Sequence, residues 1–536
     1  MPSRSEQLNT LRTLVRSGFL APLRPDKYVR MGMAVKSQGL STTSGLVMAA
    51  RRAPHAIGLI DERGALTWAQ VDARADALAM ALVTRPDGAP ARVALLCRNH
   101  RGFVEGLVAA GKVGADLLLL NTGFSGPQLS GVLEREVADV LILYEEFLPL
   151  TEHLTTSPEI VVAWQDGELS HPTVEGLIAE HLGESPPSPT KQGRVLLLTS
   201  GTTGTPKGAR RKSGGSVTDL TALLESVPWR SGGVTVCAAP MFHAWGFGIL
   251  IISSTMTSTV VMRRFFDAEA TLQMVAQHRA TALAVVPVML ERIVSLPQPV
   301  RDRYDLSSLS LVTASGSAMN PTALLRFMDQ YGDVVYNHYN ATEAGMITIA
   351  APADLRAAPT TAGRAVPGCE VVVLGPDELP VPTDEVGRIF VRNDTQFEGY
   401  SDGGTKDFHQ GFMATGDVGR LDAEGRLFVE GRDDEMIVSG GENVYPREVE
   451  ISLAAHPAVR DAAVVGVLDE AYGQRLAAFV TLAPGATATE DDLKAHVRED
   501  LARYKVPRSI TVLEELPRTT TGKVLKRELP TIGATS

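Results

Sequence analysis

The chain has 536 residues, which is too many for one compact core and predicts a division into domains. Hydrophobic residues make up 44% and charged residues 21%, as in soluble globular proteins, and the net charge of −11 argues against a general nucleic-acid binder. Three widely spaced cysteines predict neither a disulfide framework nor a zinc cluster, and they fit a reducing cytoplasm. We see no apolar stretch of the roughly 18 residues that a membrane span needs, and no secretory signal.

Residues 1–37 are locally basic and carry Leu8, Leu11, Val15 and Phe19 at helical spacing, which predicts a helix with one apolar face. Two interpretations stay open. In one, the helix touches an anionic membrane surface, where a fatty substrate would be found. In the other, which we favour, it packs on the main domain with its basic face in water, because amphipathic helices of soluble proteins mostly pack on their own core.

From position 42 to 144 the pattern alternates between helices and strands, which predicts a parallel sheet covered by helices. A Ser/Pro-rich stretch at 185–190 predicts an exposed connector. The predicted helices are Ala69–Leu82, Phe103–Val113 and Gly126–Glu136, and the predicted strands are Arg92–Leu96, Asp116–Leu120 and Val140–Leu143.

The stretch Leu197–Gly208 reads LLTSGTTGTPKG and follows an apolar run that predicts a buried strand. Glycines let backbone N–H groups approach phosphate oxygens, hydroxyls add donors and a lysine adds charge, so this loop suits a polyphosphate. It is not the common P-loop, because Lys207 is followed by glycine instead of Ser or Thr. A flexible surface turn is the alternative. The candidate phosphate-binding residues are Thr199, Ser200, Gly201, Thr202, Thr203, Gly204 and Lys207.

Beyond this loop the helix–strand rhythm resumes, and ligands of such sheets bind beyond the carboxyl ends of the strands. Around Gly387 the texture changes to alternating apolar and polar residues, which predicts antiparallel β structure. After Arg432 a segment of about a hundred residues of mixed α+β pattern has the size of a separate domain. The predicted strands after the loop are Val234–Ala238, Thr259–Met262, Ala282–Val286 and Leu309–Ala314.

The loop at Leu197–Gly208 strongly resembles the phosphate-loop signature of the adenylate-forming enzymes: acyl-CoA synthetases, adenylation domains of peptide synthetases, and luciferases. The resemblance implies an α/β large N-terminal domain, with parallel sheets covered by helices plus a distorted β-barrel, and a small mobile α+β C-terminal domain. It predicts an amphipathic extension, a large ATP- and acyl-binding domain, and a small domain carrying the catalytic lysine and the CoA-tunnel loop, at residues 1–41, 42–432 and 433–536.

The string YNATE at Tyr339–Glu343 resembles the family's YGxTE. The resemblance implies that the ring of Tyr339 packs on adenine, that Thr342 supports the phosphate end, and that Glu343 holds Mg²⁺, which prefers oxygen ligands. A solvated loop acid is the alternative for Glu343. Asn340 stands where glycine is usual; because Asn tolerates positive φ, we expect the turn to survive, and an altered pocket floor near the acyl group stays open.

Three further matches complete the predicted nucleotide site. The loop after Ala314 corresponds to the family's adenine wall, with Gly316 and Ser317 against the base and Ala314 beside the acyl group. Asp417, in TGD, is implied to accept hydrogen bonds from both ribose hydroxyls, which suits an acceptor-only carboxylate. Arg432 matches an arginine that reaches the ribose or a phosphate, and a surface ion pair with Asp433 or Asp434 is its alternative.

His243, in PMFHAWGF, matches a family histidine near the substrate carboxylate and the channel for the thiol. Trp245 and Phe247 flank it, and an apolar wall beside an imidazole suits a carboxylate head followed by a hydrocarbon tail. We therefore assign all three side chains to the acyl site. A packed or surface histidine is the alternative.

Lys523 lies in PRTTTGKVLKREL, which resembles the closing motif of the family. The resemblance implies that it bridges the substrate carboxylate and the α-phosphate, where a positioned ammonium offsets the repulsion between two anions. Lys526 and Arg527 follow closely, and the Gly522-Lys523 context selects the first lysine. The predicted catalytic set is Lys523, His243, Thr199 and Glu343.

The string SGGEN, which begins at Ser439, matches the loop that lines the CoA tunnel in thioester-forming members, with Ser439, Gly440, Gly441 and Glu442 as CoA-binding residues. Paired glycines let a narrow pantetheine arm pass close to the backbone, and an ordinary tight turn is the alternative. Asp434 occupies the family's hinge position, at which the small domain rotates between half-reactions.

The resemblance predicts an AMP-forming acid–CoA ligase, with ATP and CoA as cosubstrates and Mg²⁺ as cofactor. We expect a medium- or long-chain fatty acid as substrate. A fatty-acyl-AMP ligase, an aryl- or short-chain-acid–CoA ligase, and an inactive protein that binds nucleotide or acyl-CoA stay open. So do a homodimer and a peripheral contact of residues 1–37 with the inner face of the membrane. The expected location is the cytoplasm, with no nucleic-acid partner.

Overall fold

The computed structural model describes residues 4–20, 43–167, 170–199, 207–210, 217–394, 396–397, 399–400, 403–439, 442–469, 473–520 and 522–530. The chain divides into two compact units: the first is Met1–Ala314 with Thr395–Thr405, and the second is Ser315–Asp394 with Lys406–Ser536. Within the described ranges, none of the helices combines the length and the hydropathy that crossing a bilayer requires.

The first unit contains helices and strands that mostly alternate along the chain. Its helices are α1 (Arg4–Arg16), α2 (Ser44–Arg52), α3 (Trp68–Val83), α4 (Arg101–Val113), α5 (Gly126–Arg135), a 3₁₀ helix (Glu145–His153), α6 (Val174–His181), α7 (Val217–Ser226), α8 (Ala244–Thr255), α9 (Ala268–Gln277), α10 (Pro287–Val294) and α11 (Gln298–Arg301). Its strands are β1 (Ile57–Asp61), β2 (Gly64–Thr67), β3 (Arg92–Leu96), β4 (Asp116–Leu119), β5 (Val140–Tyr144), β6 (Glu159–Trp164), β7 (Val195–Thr199), β8 (Lys207–Arg210), β9 (Val234–Cys237), β10 (Thr259–Met262), β11 (Ala282–Val285), β12 (Leu311–Ala314) and β18 (Gly399–Tyr400).

These strands form two sheets, ordered β18-β8-β7-β4-β3-β5-β6 and β12-β11-β9-β10-β1-β2. Strands β4, β3, β5 and β6 pair in parallel, as do β9, β10, β11 and β12 in the second sheet. The sequence Val140–Tyr144 is apolar throughout and buried at every position, as a parallel strand covered on both faces must be. The predicted parallel sheets covered by helices are confirmed.

Local capping explains where the helices begin. Thr67 and Gln70 form a capping box before α3, with 3.2 Å from the Gln70 amide to Thr67 Oγ1 and 2.8 Å for the reciprocal bond. Helix α4 begins two residues before the predicted Phe103, because Nδ1 of His100 accepts the amide of Gly102 at 2.9 Å.

Helix α1 forms as predicted, but its predicted orientation is wrong. Its polar side packs on the first unit, whereas Leu8, Leu11 and Val15 remain 55%, 50% and 54% exposed. The basic side chains Arg12 and Arg16 are exposed, as we expected. The hydrophobic pattern predicts the helix correctly but not the face that it buries. Hydrogen bonds from the polar side chains of α1 fix its contact with the rest of the unit instead.

The second unit begins with a loop and one helix that lead into paired strands, and it ends with a mixed α+β segment. Its helices are α12 (Pro321–Tyr331), α13 (Pro352–Ala357), α14 (Pro446–Ala455) and α15 (Glu490–Asp500), with 3₁₀ turns at Asp433–Glu435, Arg503–Lys505 and Lys526–Glu528. Its strands are β13 (Val335–Ala341), β14 (Gly345–Ala350), β15 (Arg364–Ala365), β16 (Glu370–Leu374), β17 (Gly387–Arg392), β19 (Phe408–His409), β20 (Phe412–Leu421), β21 (Leu427–Arg432), β22 (Ile437–Ser439), β23 (Glu442–Val444), β24 (Val459–Asp469), β25 (Gly473–Leu482) and β26 (Ser509–Val512).

In the region where we expected a distorted β-barrel, the structure has an antiparallel sheet of order β16-β17-β20-β19, in which β21 also pairs with β20. The C-terminal segment has its own sheet, β23-β22-β25-β24 with β26 on β25, and its own core around Val464, Ala478 and Leu493. A large α/β part with parallel sheets followed by a smaller α+β part is thus confirmed. The boundaries at 41 and 432 differ from those of the two compact units, and they stay a prediction.

Candidate active site

The candidate phosphate loop joins two paired strands. Strand β7 ends at Thr199, β8 begins at Lys207, and these two residues are Cα partners across an antiparallel hairpin. The backbone therefore brings the predicted threonine and lysine opposite each other, at the end of a strand that pairs in parallel with β4. The other predicted phosphate ligands lie outside the described residues: Ser200, Gly201, Thr202, Thr203 and Gly204.

His243 is the N-cap of helix α8 in the first unit. Its Nδ1 accepts the amide of Trp245 at 3.4 Å, and burial lowers the pKa of its imidazole to about 4. The ring is therefore neutral at physiological pH. The indole N–H of Trp245 donates to the carbonyl oxygen of Val285 at 3.0 Å and Trp245 is half-buried, whereas Phe247 is buried.

Asn99 holds the segment before His243, and sequence reasoning missed it. Its buried carboxamide donates to the carbonyl oxygens of Cys237 and Ala239, at 3.3 and 2.8 Å, and accepts the amide of Met241 at 2.8 Å. One side chain thus satisfies three backbone groups of the loop after β9. The only available signal was its place at the carboxyl end of β3, where polar residues of parallel sheets gather.

Asp417 lies at the centre of a hydrogen-bonded group in the second unit, which we name the aspartate cluster (Tyr339, Asp417 and Arg432). Tyr339 donates its hydroxyl to Oδ2 of Asp417 in a short hydrogen bond, and Nη1 of Arg432 donates to Oδ1 at 3.2 Å. Burial raises the pKa of Asp417, against the opposing effects of Tyr339 and Arg432, and burial likewise raises the pKa of Tyr339.

The strand register explains why these residues meet. Asp417 and Arg432 are Cα partners in the β20–β21 pair. Gly416 has φ of +84°, and a Cβ there would lie 3.1 Å from Nη2 of Arg432, so the glycine of the TGD motif leaves room for the guanidinium. Arg432 bonds to Asp417, and Asp433, one of its two alternative partners, pairs with Arg388 at 3.1 Å. The alternative pair with Asp434 lies outside the side chains that the structure describes.

Asn340 lies within strand β13 and not in a left-handed turn. A register shift separates Tyr339 from Asn340, and Asn340 is absent from the described positions of positive φ, so our expectation about its backbone is wrong. Its Nδ2 lies 3.3 Å from Oγ of Ser315, whereas its buried Oδ1 has no hydrogen-bond partner among the described residues. Gly316 has φ of +106°, as a glycine loop allows.

Thr342 and Glu343 occupy the tight turn between β13 and β14, and both are half-buried. Within the described ranges, no three His, Cys, Asp or Glu side chains gather as a metal site would require. A single carboxylate still fits Mg²⁺, because this ion is usually bound through one or two carboxylates together with substrate phosphates and water. The assignment of the metal to Glu343 stays a prediction.

Lys523 lies in a compact segment that we name the lysine turn (Arg518, Thr519, Gly522 and Lys523). Its backbone bonds to Thr519, with 2.8 Å from the Thr519 amide to the Lys523 carbonyl and 3.0 Å from the Lys523 amide to Thr519 Oγ1. Arg518 clamps the turn through short bonds to the carbonyl of Gly522 and to Asp461. The ammonium of Lys523 is exposed, with no ion pair to any described residue.

The neighbouring Lys526 is engaged elsewhere. Its Nζ lies 3.1 Å from Glu435 and 3.1 Å from Glu450. Burial lowers the pKa of Lys526, and the two carboxylates more than offset this, so that the pKa is raised above its usual value. Of these two lysines, Lys523 is therefore the one whose charge is available, which agrees with the choice made from the Gly522-Lys523 context.

The predicted CoA loop is a hairpin in the second unit. Strand β22 ends at Ser439, β23 begins at Glu442, and these residues are Cα partners, so only Gly440 and Gly441, which lie outside the described residues, separate the strands. Asp434 lies in the 3₁₀ turn that follows Arg432. The roles of this loop and of Asp434 stay predictions.

The order and content of these motifs agree with a family comparison. The profile of the AMP-binding enzyme family matches residues 46–401, and that of the AMP-binding enzyme C-terminal domain matches residues 448–523. The chain belongs to the AMP-binding enzyme family. The second match ends at Lys523 itself, and the resemblance noted from the phosphate loop is confirmed.

Several relatives of this AMP-binding enzyme have names that describe acid–CoA ligases. The chain is 33% identical to a feruloyl-CoA synthase of Amycolatopsis sp. over 92% of its own length and 99% of the relative's. It is 31% identical to an indoleacetate–CoA ligase of Aromatoleum aromaticum, over 87% and 92%. Among solved structures, an anthranilate CoA ligase in complex with anthranoyl-AMP matches with a TM-score of 0.80 and 26% identity, over 90% of this chain and 95% of that one.

Proposed function

We propose that this AMP-binding enzyme is a CoA ligase that activates an aryl or other aromatic-ring-bearing carboxylic acid through an acyl-adenylate. The observation that carries the proposal is its similarity, over nearly the whole chain, to ligases whose names specify feruloyl, indoleacetate and anthranilate. These relatives support the aryl alternative better than the fatty acid that we expected from sequence. The half-buried indole of Trp245 is consistent with a planar ring.

In the first step, a carboxylate oxygen of the acid attacks the α-phosphorus of ATP, and the bond to pyrophosphate breaks. We assign the ribose to Asp417, whose two carboxylate oxygens retain acceptor capacity beyond the bonds from Tyr339 and Arg432. We assign to Lys523 the charge that offsets repulsion between the two anions and stabilises the developing negative charge. Its exposed ammonium, which forms no ion pair with a described residue, supports this role.

Mg²⁺, when bound, neutralises phosphate charge, and Glu343 would hold it together with phosphate oxygens. His243 orients the carboxylate as a neutral hydrogen-bonding group, since the pKa of its imidazole is lowered to about 4. We assign the leaving pyrophosphate to Thr199 and Lys207, which are Cα partners in the β7–β8 hairpin. A neutral imidazole avoids adding a second permanent positive charge beside the substrate carboxylate.

In the second step, the thiol of CoA attacks the acyl carbon, AMP leaves with the bonding electron pair, and the thiol proton passes to solvent. The hairpin of β22, which ends at Ser439, and β23, which begins at Glu442, is the proposed wall for the pantetheine arm. The products are the aryl-acyl thioester, AMP and pyrophosphate.

The test is a panel of carboxylic acids assayed for acid-dependent ATP–pyrophosphate exchange and for CoA thioester formation. We expect kcat/KM for cinnamate-, indoleacetate- or benzoate-type acids to exceed that for octanoate and palmitate by about tenfold or more, as one or two well-placed contacts allow. Higher kcat/KM for the fatty acids would overturn the aryl assignment. Exchange without CoA consumption would indicate transfer to a carrier protein, and nucleotide binding without exchange would indicate an inactive binding protein.

A further inference from the structure

Helix α1 is attached to the first unit by its polar side. Nδ2 of Asn9 and Oγ1 of Thr13 both donate to Oε1 of Glu225 in α7, at 2.8 and 3.2 Å. Leu14 and Ser17 on the same side are buried. The helix therefore has a defined orientation, set by hydrogen bonds and by the burial of Leu14.

The end of α1 is anchored through its backbone. The amide of Ser231 donates to the carbonyl of Ser17 at 2.9 Å, and Nη2 of Arg52 donates to the carbonyl of Gly18 at 2.8 Å. Arg230 adds a short bond to the carbonyl of Arg16. Because these bonds use the chain just after the helix, they hold α1 in place without involving its outward side chains.

The outward face of α1 carries an aliphatic stripe, formed by Leu8, Leu11 and Val15. Positions i, i+3 and i+7 lie one above the other on a helix, so the three side chains form one continuous strip. Each is at least half exposed, at 55%, 50% and 54%. Single exposed leucines are ordinary on protein surfaces, but three in a row on one fixed helix indicate a surface that meets another apolar phase.

Two arginines border this stripe. Arg12 and Arg16 each follow a stripe residue directly in sequence, and both are exposed. Neither forms an ion pair with a described side chain. They stand out because the whole chain carries a net charge of −11, so the border of the stripe is basic on an acidic protein. An aliphatic stripe with a basic border is complementary to a surface that is apolar within and anionic at its edge.

We propose that α1 lies on an anionic lipid bilayer surface, with Leu8, Leu11 and Val15 inserted at the level of the lipid headgroups and Arg12 and Arg16 against lipid phosphates. A second copy of the chain fits this face less well, because a symmetric pairing of two stripes would bring like-charged arginines together. The proposal concerns where the enzyme is located and does not depend on which acid it activates.

The test is co-sedimentation of the full chain with large unilamellar vesicles, of phosphatidylcholine alone or with phosphatidylglycerol. We expect binding to the mixed vesicles only, weakening as salt is raised from about 0.05 to 0.5 M because surface charges are screened. A triple variant, Leu8→Ser with Leu11→Ser and Val15→Ser, is expected to lower the partition coefficient about tenfold or more. The pair Arg12→Gln with Arg16→Gln is expected to lower it about tenfold and to flatten the salt dependence.

Leu468→Ser is the matched control, since Leu468 is 85% exposed in the second unit, and it is expected to leave binding unchanged. Thioester formation without vesicles reports on folding and should be unaffected in all three variants, because the substituted side chains are exposed. Equal binding by the triple variant and the control would overturn the proposal, as would no binding of the wild type to the mixed vesicles. A wild-type dimer that dissociates in the triple variant would assign the stripe to a second copy instead.

Discussion

In the aspartate cluster both carboxylate oxygens of Asp417 accept hydrogen bonds, from Tyr339 and Arg432, and the carboxylate is largely buried. In the lysine turn the backbone is equally well bonded, through Arg518 and Thr519, but the ammonium of Lys523 is left exposed. Both regions belong to the second unit, and both carry a motif of the AMP-binding enzyme family. They differ in what is held in place: the side-chain carboxylate of Asp417 in the first region, and only the backbone of Lys523 in the second.

This difference corresponds to two kinds of task. A group that must hold a ribose benefits from being positioned before the ligand arrives, because its own orientation then costs nothing on binding. A charge that acts on a transient state must be free to take up new partners. The neighbouring Lys526 illustrates the contrast, since two carboxylates at 3.1 Å fix its ammonium and leave it unsuited to the second task.

The largest expected effect separates these two lysines. Lys523→Ala is expected to lower the kcat of thioester formation by about 10³-fold, the range for loss of a group that stabilises developing charge. Lys526→Ala is the control: it leaves Glu435 and Glu450 without their cation, and we expect it to lower stability with kcat within about threefold. Steady-state kinetics and thermal unfolding measure both, and a kcat lost only in Lys526→Ala would reverse the assignment.

Substitutions in the aspartate cluster are expected to change the affinity for ATP. Asp417→Asn replaces an anionic acceptor by a neutral amide and weakens its bond to Arg432, so we expect the dissociation constant for ATP to rise about thirtyfold, or about 2 kcal/mol. Calorimetric titration of ATP, with Asp433→Asn as the matched exposed carboxylate, measures this change. An unchanged affinity in Asp417→Asn would remove the ribose from this cluster.

His243, in the first unit, has an imidazole that is held by a hydrogen bond, like the carboxylate of Asp417, but is neutral. Its folded pKa of about 4 lies below the value near 6.5 expected for an unfolded chain, so the unfolded state binds the proton more readily between these values. The free energy of unfolding is therefore unaffected by protonation of His243 above pH 6.5. It falls as the pH is lowered from 6.5 towards 4, by about 2 kcal/mol at pH 5, because protonation of the imidazole favours the unfolded state. Denaturant midpoints at pH 7 and 5 should differ less in His243→Asn than in wild type. Equal differences in the two proteins would contradict the buried neutral imidazole.

The smallest expected effect tests how far Asp417 depends on a single partner. Tyr339→Phe removes the hydroxyl that donates to Oδ2 but retains the ring and the bond from Arg432. We expect the dissociation constant for ATP to rise about fivefold, or about 1 kcal/mol. A loss as large as that of Asp417→Asn would mean that Tyr339 and not Arg432 fixes the cluster.

Much of the framework is local and could be predicted from sequence. Strands Arg92–Leu96 and Thr259–Met262 have the predicted bounds, because apolar runs bounded by polar residues specify buried strands directly. The choice of Lys523 over Lys526 rested on the glycine before it, and Gly522 indeed adopts φ of +83°, which glycine tolerates best.

The remainder depends on contacts between distant residues. Asn340 was expected in a turn but extends strand β13, because pairing with β14 decides its backbone. The carboxamide of Asn99 bonds to a loop about 140 positions away, which no local pattern signals. The outward stripe of α1 follows from Glu225 in another helix. The acyl substrate was predicted as a fatty acid because the residues that line such a pocket are apolar for chains and rings alike.

The charge of Lys523 is proposed to serve the formation of the adenylate and not the transfer of the acyl group to CoA. The most direct measurement compares the two half-reactions in Lys523→Ala: acid-dependent ATP–pyrophosphate exchange, and transfer of a supplied aryl-adenylate to CoA. We expect exchange to fall by about 10³-fold while transfer stays within about threefold of wild type. Equal loss of both half-reactions would contradict the claim.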